Sequence, residues 1–312
     1  MNQMIAGAAA ANTVHILLPV HNRRELTRRF MKCLRSQTRR FMKCLRSQTY
    51  PHLHLLVIDD GSEDGTSDAV VKDYPQAIVI RGDGKQWWAG SLQMGLDYLR
   101  ESDIGDEDIV LFANDDTVFD ASFIERAVDF LAHNRNCLLC ARVADAESGR
   151  TIESGVHADF LRFKFRVARS ADEINCLPTR GLFLRWVDAK AIGGFHPLLL
   201  PHYWSDYEYT IRARRKGLPC LTDDSVALVP DSKATGYHDL DDLSGWRFTR
   251  RFFSMKSPLN PWYRVVFVLL AAPGILKFVG VVNVVARTVP RLLWQGLFHL
   301  KFPRRLLSGV PE

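Results

Sequence analysis

The sequence predicts an α/β fold with a doubly wound, mostly parallel sheet, helices on both of its faces, and a C-terminal helical extension. Two observations predict the sheet. Apolar runs rich in branched residues alternate with helical patterns over the first 117 residues, and polar residues directly follow three of these runs. Strand–helix–strand repetition gives parallel strands joined by right-handed crossovers. The 312 residues are 47% hydrophobic and 24% charged, which allows a large core and excludes general disorder.

The same patterns place the individual elements. Predicted strands cover Val14–Leu18, Leu53–Ile58, Ala77–Ile80 and Ile109–Ala113. Predicted helices cover Glu25 to about Gln48, Thr66–Lys72, Ser91–Arg100 and Tyr207–Lys216. Ligands of such sheets bind beyond the carboxyl ends of the strands, so the residues that follow each strand are the first candidates for a site.

Three strand ends deliver polar groups to one edge of the predicted sheet. Pro19–Asn22 follow the first strand, Asp59-Asp60 the second, and Asn114–Asp116 the fourth. One aspartate after a strand is usually a turn former or a helix cap. Four carboxylates at one edge would repel each other unless a divalent cation or a donor-rich ligand joined them. The glycine-rich turn of a dinucleotide-binding fold is missing after the first strand, which disfavours a Rossmann dehydrogenase.

Four segments together resemble a family-two glycosyltransferase with the GT-A fold: His15–Arg23, Leu55–Thr66, Leu111–Phe119 and Gly193–Gly217. The resemblance spans about residues 13–240. It implies a nucleoside-diphosphate sugar as donor, Mg2+ or Mn2+ as cofactor, and inverting transfer to a hydroxyl group. The implied acceptor is a saccharide or a lipid-linked molecule, in the synthesis of a surface polysaccharide or glycolipid.

The resemblance also implies roles for residues of the nucleotide and metal sites. The nucleotide would be bound by Pro19, His21, Asn22, Asp60 and Asp115. Asp60 would accept the N–H of the nucleobase, and Asp115 would face the ribose or the metal. Asp116 would coordinate the metal on the diphosphate, with Asp231 or His238 as a further ligand. In the family an aromatic residue often stands where this chain has His21.

Two further segments resemble the catalytic half of the family. Asp206 matches the general base at the start of a helix, although Ser205 stands where the family usually has an acidic residue. The alternative for Asp206 is a helix N-cap. The loop Gly82–Ser91 resembles the loop near the donor sugar and phosphates. Its candidate contacts are Trp87, Trp88 and Gly90, and core packing is the alternative for the two tryptophans.

The net charge of +6 is distributed unevenly along the chain. Residues 243–312 contain eleven Lys and Arg and one acidic residue, so they carry +10 and the rest of the chain carries −4. The apolar stretch of this tail is interrupted by Pro273-Gly274, Lys277 and Asn283. We expect one or two interfacial helices held on an anionic membrane surface. A packed helical pair and a single membrane span are the alternatives. Nucleic-acid binding is disfavoured because no recognised module accompanies the basic residues.

An identical segment, RRFMKCLRSQT, occurs at residues 28–38 and again at residues 39–49. Eleven residues leave the second copy only about 20° out of phase, so one continuous helix is sterically allowed. One copy adds roughly 16 Å of helix, while the flanking strands fix both ends. We therefore predict that one copy packs on the sheet and the other projects or loops out.

Cys137 and Cys140 are predicted to be buried strand thiols rather than zinc ligands, which suits a reducing compartment.

The predicted organisation is a glycosyltransferase domain over residues 1–242 and a basic, apolar helical tail over residues 243–312. Residues 13–117 form its nucleotide-sugar-binding half and residues 118–242 its acceptor and catalytic half. The expected location is the cytoplasm, peripheral on the inner face of the cell membrane. Two other functions stay open: a nucleotidyltransferase, which would carry a glycine-rich basic loop after the first strand, and a catalytically degenerate sugar-nucleotide-binding membrane adaptor.

Overall fold

The computed structural model describes residues 12–21, 41–145, 148–230, 243 and 245–297. The strands of these residues are β1 (Val14–Val20), β2 (Leu53–Asp59), β3 (Ile78–Arg81), β4 (Ile109–Phe112), β5 (Thr117–Val118), β6 (Leu138–Ala144), β7 (Thr151–Glu153), β8 (Val156–Asp159), β9 (Lys164–Val167), β10 (Leu182–Arg185) and β11 (Cys220–Pro230). The α-helices are α1 (Thr66–Asp73), α2 (Trp87–Glu101), α3 (Phe123–His133), α4 (Trp186–Ile192), α5 (Ser205–Arg215), α6 (Gly245–Phe252), α7 (Pro261–Ala271) and α8 (Leu276–Arg291). A π-helical turn, Leu292–Leu297, follows α8.

The main sheet is mixed rather than mostly parallel. In the described residues its strand order is β3-β2-β1-β4-β10-β6-β11-β5, and β7 pairs with β6. The first four strands are parallel, as predicted. β10 is antiparallel to both β4 and β6, which corrects the prediction for the second half. The physical reason is the connection: a parallel return needs a crossover such as a helix, whereas the chain between β6 and β10 forms β7 and the β8–β9 hairpin.

Helices pack on both faces of this sheet, as predicted. Alternate residues of β1 point to opposite sides, because side chains alternate along a strand. Ile16 and Leu18 are buried with Ile124 of α3 on one face. Leu17 is buried with Leu92 of α2 on the other face. The parallel half of the sheet is therefore buried on both sides, and its strands read as continuous apolar runs.

The second copy of the duplicated segment packs on the sheet. Residues 41–46 are helical, and Phe41, Met42 and Leu45 are buried in the same core cluster as Ile16. The ring of Phe41 meets that of Phe119 edge-on, with 5.4 Å between centroids. The first copy, residues 28–38, and Arg39-Arg40 of the second lie outside the described residues. The prediction that the other copy projects stays a prediction.

The duplication supplies its own matched control for a stability experiment. We expect Phe41→Ala to lower the free energy of unfolding by about 3–5 kcal/mol, because it removes a fully buried ring and leaves a cavity. Phe30 holds the same position in the first copy. If only one copy packs, Phe30→Ala costs far less. Urea denaturation of both variants makes the comparison, and equal losses would show that both copies pack.

Cys137 and Cys140 are buried, as predicted from the apolar run that contains them. Cys140 lies in β6, and Cys137 immediately precedes that strand. Burial raises the pKa of the Cys137 thiol to about 11, so the thiol is protonated at neutral pH. A protonated, buried thiol is a poor metal ligand, which agrees with a packing role for this residue.

The tail packs against the rest of the protein through α7. Phe267 of α7 lies in one apolar cluster with Phe165 and Trp204, two residues outside the tail. The helices α7 and α8 approach closely at Gly280, where an added Cβ would lie 2.8 Å from Cγ1 of Val268. The described part of the tail contains no helix that is both long and apolar enough to cross a bilayer. The described part of the tail thus contains a packed helical pair.

Candidate active site

The carboxyl ends of the parallel strands meet at one edge of the sheet, as the sequence predicts. Val20, the last residue of β1, pairs with Asp59, the last residue of β2. Phe112, at the end of β4, pairs with Leu17 on the other side of β1. The residues that follow these strand ends, His21, Asp60 and Asn114, therefore leave the sheet at the same edge. Pro19 lies within β1, buried and paired with Ile58.

Asp60 fixes the loop that leads into α2. Its side chain is buried, Oδ1 accepts a hydrogen bond from the Gly84 N–H at 2.8 Å, and Oδ2 accepts one from the Trp87 N–H at 2.9 Å. The approach is too close for larger residues, since a Cβ on Gly82 would lie 2.7 Å from Oδ1 of Asp60. The predicted contact of Asp60 with a nucleobase stays a prediction. These contacts give the Asp60 carboxylate a structural role: it holds residues Gly82–Ser91, which we call the donor loop after the predicted role of this segment.

The neighbouring carboxylate, Asp59, has a structural role. Its Oδ1 accepts a hydrogen bond from the Ser62 N–H at 2.8 Å, and its Oδ2 accepts one from the Ser67 hydroxyl. These contacts close the turn between β2 and α1. Asp59 is therefore engaged in turn formation. His21 is exposed, and its Nδ1 lies in hydrogen-bond contact with the Asp60 carbonyl oxygen.

The turn after β4 collects oxygen donors of the type that Mg2+ and Mn2+ prefer. The Thr117 hydroxyl donates to the Asn114 carbonyl at 2.8 Å and shapes the turn, and the Asp116 residue is only 5% exposed. Oδ1 of Asn114 is buried without a hydrogen-bond partner among the described residues, so an acceptor is available here. The residues of this turn therefore fit a divalent cation.

The described residues contain no group of three His, Cys, Asp or Glu side chains that could hold a metal by itself. A cation at Asp115 and Asp116 would need further oxygens, and a bound diphosphate supplies them. The remaining candidates from the sequence, Asn22, Asp231 and His238, lie outside the described residues.

The three candidates of the donor loop lie in the first turn of α2, not before the helix. α2 begins at Trp87, four residues before the predicted start at Ser91. Trp87 has a φ of 55°, and its N–H is held by Asp60. The Trp88 indole N–H donates to the Thr179 hydroxyl at 3.0 Å, which fixes this ring against the second half of the fold. Gly90 packs closely on Gln86, since an added Cβ would lie 2.9 Å from Oε1 and 3.1 Å from Cβ of that side chain.

Asp206 lies in the first turn of α5 rather than at its N-cap position, but its Oδ1 accepts the Tyr207 N–H at 3.0 Å, so it makes a contact of the predicted capping kind. The helix begins at Ser205, two residues before the predicted start, and its N-cap is Trp204 in a left-handed conformation with a φ of 71°. Asp206 is half-buried near the positive end of the helix dipole. The other carboxylate of this turn, Glu208, is bound by two nitrogens of Arg212, each at 2.9 Å. Glu208 is thus part of the scaffold.

The first turn of α2 and the segment that leads into α5 are in direct contact. The Ala89 N–H donates to the Pro201 carbonyl at 2.9 Å, and the ring of Trp87 lies 5.8 Å from that of His202. Burial, together with the positive charge of Lys256, lowers the pKa of His202 to about 4, so this ring is neutral at pH 7. The ammonium of Lys256 lies 5.6 Å from the centre of the Trp87 ring.

His202 and Lys256 lie beside the candidate site and were not among the residues predicted from the sequence. Lys256 belongs to the tail, 169 positions after Trp87, and no local pattern joins the two. His202 stands three residues before α5, in a loop whose position is set by the bond between Ala89 and Pro201. The tail thus contributes a cation directly beside the donor loop.

Comparison with known proteins gives a family match and structures of similar fold. Residues 15–188 match the family described as "Glycosyl transferase family 2". No curated protein matches the chain significantly. A crystal structure of S. aureus TarS aligns with a TM-score of 0.53 and 16% identity, covering 86% of this chain and 50% of that chain.

Shorter TarS structures align similarly. TarS 1-349 gives a TM-score of 0.57 at 14% identity and covers 92% of this chain and 76% of that chain. Its complex with UDP-GlcNAc gives 0.54 at 14% identity, with coverages of 90% and 72%. The chain spans half the length of the longer TarS chain. At these identities the likeness shows a common fold, an α/β architecture with a mixed sheet.

Proposed function

The chain belongs to glycosyl transferase family 2, and from this premise we propose that it transfers a sugar from a nucleoside-diphosphate sugar to a hydroxyl of a saccharide or lipid-linked acceptor. The transfer depends on a divalent metal and inverts the anomeric centre. One observation carries the proposal: the donor loop held by Asp60 lies against the segment that leads into α5, where Asp206 is located.

The donor binds along the carboxyl edge of the parallel strands. The dipole of α2 favours negative charge near the N-terminal end of this helix. Asp60 keeps the first turn of α2 in place through the Trp87 N–H. Solved TarS structures contain UDP and UDP-GlcNAc, which makes uridine-diphosphate sugars the first donors to test.

Asp115 and Asp116 would hold Mg2+ or Mn2+ together with oxygens of the diphosphate. When bound, the metal neutralises the charge that develops on the departing nucleoside diphosphate. The buried amide oxygen of Asn114 supports a positively charged or hydrogen-donating ligand at this turn, because the burial of an acceptor without a partner is unfavourable.

Asp206 acts as the general base. Its carboxylate takes the proton from the acceptor hydroxyl while the acceptor oxygen forms a bond to the anomeric carbon. The bond from that carbon to the diphosphate oxygen breaks at the same time, and the electron pair leaves with the nucleoside diphosphate. Attack from the face opposite the leaving group inverts the configuration. Asp206 lies in the first turn of α5, where the helix dipole favours a negatively charged side chain.

We place the reaction in the cytoplasm. The described cysteines are free thiols, namely Cys44, Cys137, Cys140, Cys176 and Cys220. Free thiols without disulfides are the usual state of proteins in a reducing compartment, where nucleotide sugars are made and consumed.

Donor binding tests the proposal without knowledge of the acceptor. Thermal unfolding is measured with a panel of nucleotide sugars, each with and without Mn2+. We expect one nucleotide sugar to stabilise the protein in a metal-dependent way, by about 2.7 kcal/mol at a concentration near 100 times Kd. Slow release of the nucleoside diphosphate from that donor should accompany binding.

Two results would count against this function. Release of pyrophosphate from a nucleoside triphosphate and a sugar phosphate would indicate a nucleotidyltransferase. Metal-dependent binding of a nucleotide sugar without turnover by any acceptor or water would indicate a binding protein of degenerate activity.

A further inference from the structure

The outward face of α8 is almost entirely apolar. Ile275 is 75% exposed and Phe278 is 69% exposed, and further apolar residues follow at helical spacing. These residues form one stripe, which we call the apolar ridge: Ile275, Phe278, Val282, Val285, Val289, Leu293 and Trp294. Lys277 is the one charged residue of α8 that the structure leaves fully exposed. A helix facing water normally presents charged and polar side chains on this side.

The other charged side chains of α8 are used internally. Arg287 donates to the carbonyl oxygens of Arg162 and Phe163 at 2.7 and 3.1 Å. Arg291 is buried, and its Nε donates to Oε1 of Gln295 at 2.9 Å. Arg287 and Arg291 are therefore turned toward the protein, whereas the side chains of the apolar ridge face outward. An extended apolar surface of this kind marks an interaction site.

The ridge continues onto α6, which adds aromatic and basic residues. The π-helical turn after α8 packs on α6 through Leu292 and the buried rings of Phe248 and Phe252. On its outer side α6 exposes Trp246 to 75%, together with Phe253. Arg247 and Arg250 are exposed on the same helix. Aromatic rings and arginines that flank an apolar helix are typical of the lipid–water interface.

The positive charge of the tail distinguishes between two possible partners of the apolar ridge, a second copy of the chain and an anionic bilayer. Residues 243–297 contain eight Lys and Arg and no acidic residue. Two copies of the chain meeting through the ridge would bring these cations together, and no carboxylate of the same segment could pair with them. An anionic bilayer supplies both an apolar layer for the ridge and negative charge for the exposed Arg247, Arg250 and Lys277.

We propose that the apolar ridge and the outer side of α6 dock on an anionic lipid bilayer, with α8 lying in the plane of the interface. The docking itself is independent of catalysis. Its consequence, that the acceptor is presented from the bilayer, rests on the proposed function.

The tail segment between α6 and α7 joins the docking surface to the candidate active site through direct contacts. Lys256, between α6 and α7, lies over the ring of Trp87 in the donor loop. The indole N–H of Trp204, the N-cap of α5, donates to the Pro258 carbonyl at 3.0 Å. Because one short tail segment touches both the donor loop and the start of α5, the docked tail sets the orientation of the site toward the membrane.

Vesicle co-sedimentation of the full chain, without donor, tests the docking. We expect binding to vesicles of phosphatidylglycerol and phosphatidylcholine, and at least about tenfold weaker binding to phosphatidylcholine alone. The double variant Phe278→Glu/Val285→Glu should lose at least about tenfold in partitioning, since it removes apolar surface and adds negative charge. Arg247→Gln/Arg250→Gln should weaken binding to anionic vesicles and reduce its sensitivity to salt.

The chain offers a matched control. Val71 of α1 and Ile152 of β7 are exposed apolar residues outside the tail. Val71→Glu/Ile152→Glu introduces the same number of charges and should leave vesicle binding unchanged. Thermal unfolding of each variant verifies that the fold is retained.

Three results would overturn the docking proposal. The wild type does not bind anionic vesicles, the ridge variant Phe278→Glu/Val285→Glu binds them as well as the wild type, or the control Val71→Glu/Ile152→Glu loses as much binding as the ridge variant. Self-association of the wild type that the ridge variant abolishes, in the absence of vesicle binding, would assign the ridge to a second copy. Donor hydrolysis in solution separates this proposal from the proposed function. If the wild type binds vesicles but neither it nor any variant hydrolyses the donor, the proposed function is contradicted and the docking proposal stands.

Discussion

Asp206→Asn is expected to lower kcat of sugar transfer by about 10²- to 10⁴-fold, while the nucleotide sugar still binds. The amide has nearly the same shape as the carboxylate but cannot take the proton of the acceptor hydroxyl. Asp206 is half-buried in the first turn of α5 and its Oδ1 accepts the Tyr207 N–H at 3.0 Å, a bond that the amide oxygen of asparagine can also accept, so the fold should tolerate the change. Steady-state transfer rates and donor-dependent thermal stabilisation measure the two effects separately.

Glu208 serves as the contrasting variant two residues later. Its carboxylate is bound by two nitrogens of Arg212, and Arg212 also donates to the carbonyl oxygens of Ile192 and Gly194. Glu208→Gln should therefore lower the free energy of unfolding, because it disrupts a buried ion pair. A large loss of stability in Asp206→Asn, or transfer at the wild-type rate, would remove Asp206 from the role of base.

Asp116→Asn is expected to abolish the metal-dependent part of donor binding and to lower kcat/KM by about 10³-fold. An amide oxygen is a much weaker ligand for Mg2+ or Mn2+ than a carboxylate, and the charge of the diphosphate is then less well neutralised. The side chain is buried at the turn after β4, so the isosteric change is preferred over alanine. The measurement is thermal stabilisation by the donor over a series of Mn2+ concentrations.

Asp120 provides the control for this experiment. It stands four residues after Asp116, is exposed, and pairs with Arg126 at 2.8 Å. Asp120→Asn should leave the response to Mn2+ unchanged. If both variants respond to Mn2+ as the wild type does, the metal does not bind at the turn after β4.

The strands that build the site could be predicted because burial determines their sequence. β1, β2 and β4 are covered by helices on both faces, and their uninterrupted apolar runs identify them and the polar residues that follow. His21, Asp60 and Asn114 were located in this way. The antiparallel β10 was not predicted, since its direction depends on the hairpin-forming segment before it rather than on its own four residues.

The starts of α2 and α5 could not be predicted for a different reason. Each start involves a tryptophan with positive φ, a conformation that is uncommon outside glycine and carries no local signal: Trp87, the first residue of α2, at 55° and Trp204, the N-cap of α5, at 71°. Neither helix start has a side-chain cap bond. Long-range contacts hold them instead: Asp60 accepts the Trp87 N–H, and Pro258 accepts the Trp204 indole N–H.

The position of Phe267 in the aromatic cluster limits how this enzyme can change over evolutionary time. Its ring lies 5.0 Å from that of Trp204 and 5.7 Å from that of Phe165, so one side chain of the tail completes a stack begun by the N-cap of α5. A recombination event that exchanged the tail for one from a distant relative would remove the ring that packs on both Trp204 and Phe165. The tail and the catalytic part are therefore expected to be inherited as a unit, with paired substitutions at these aromatic positions.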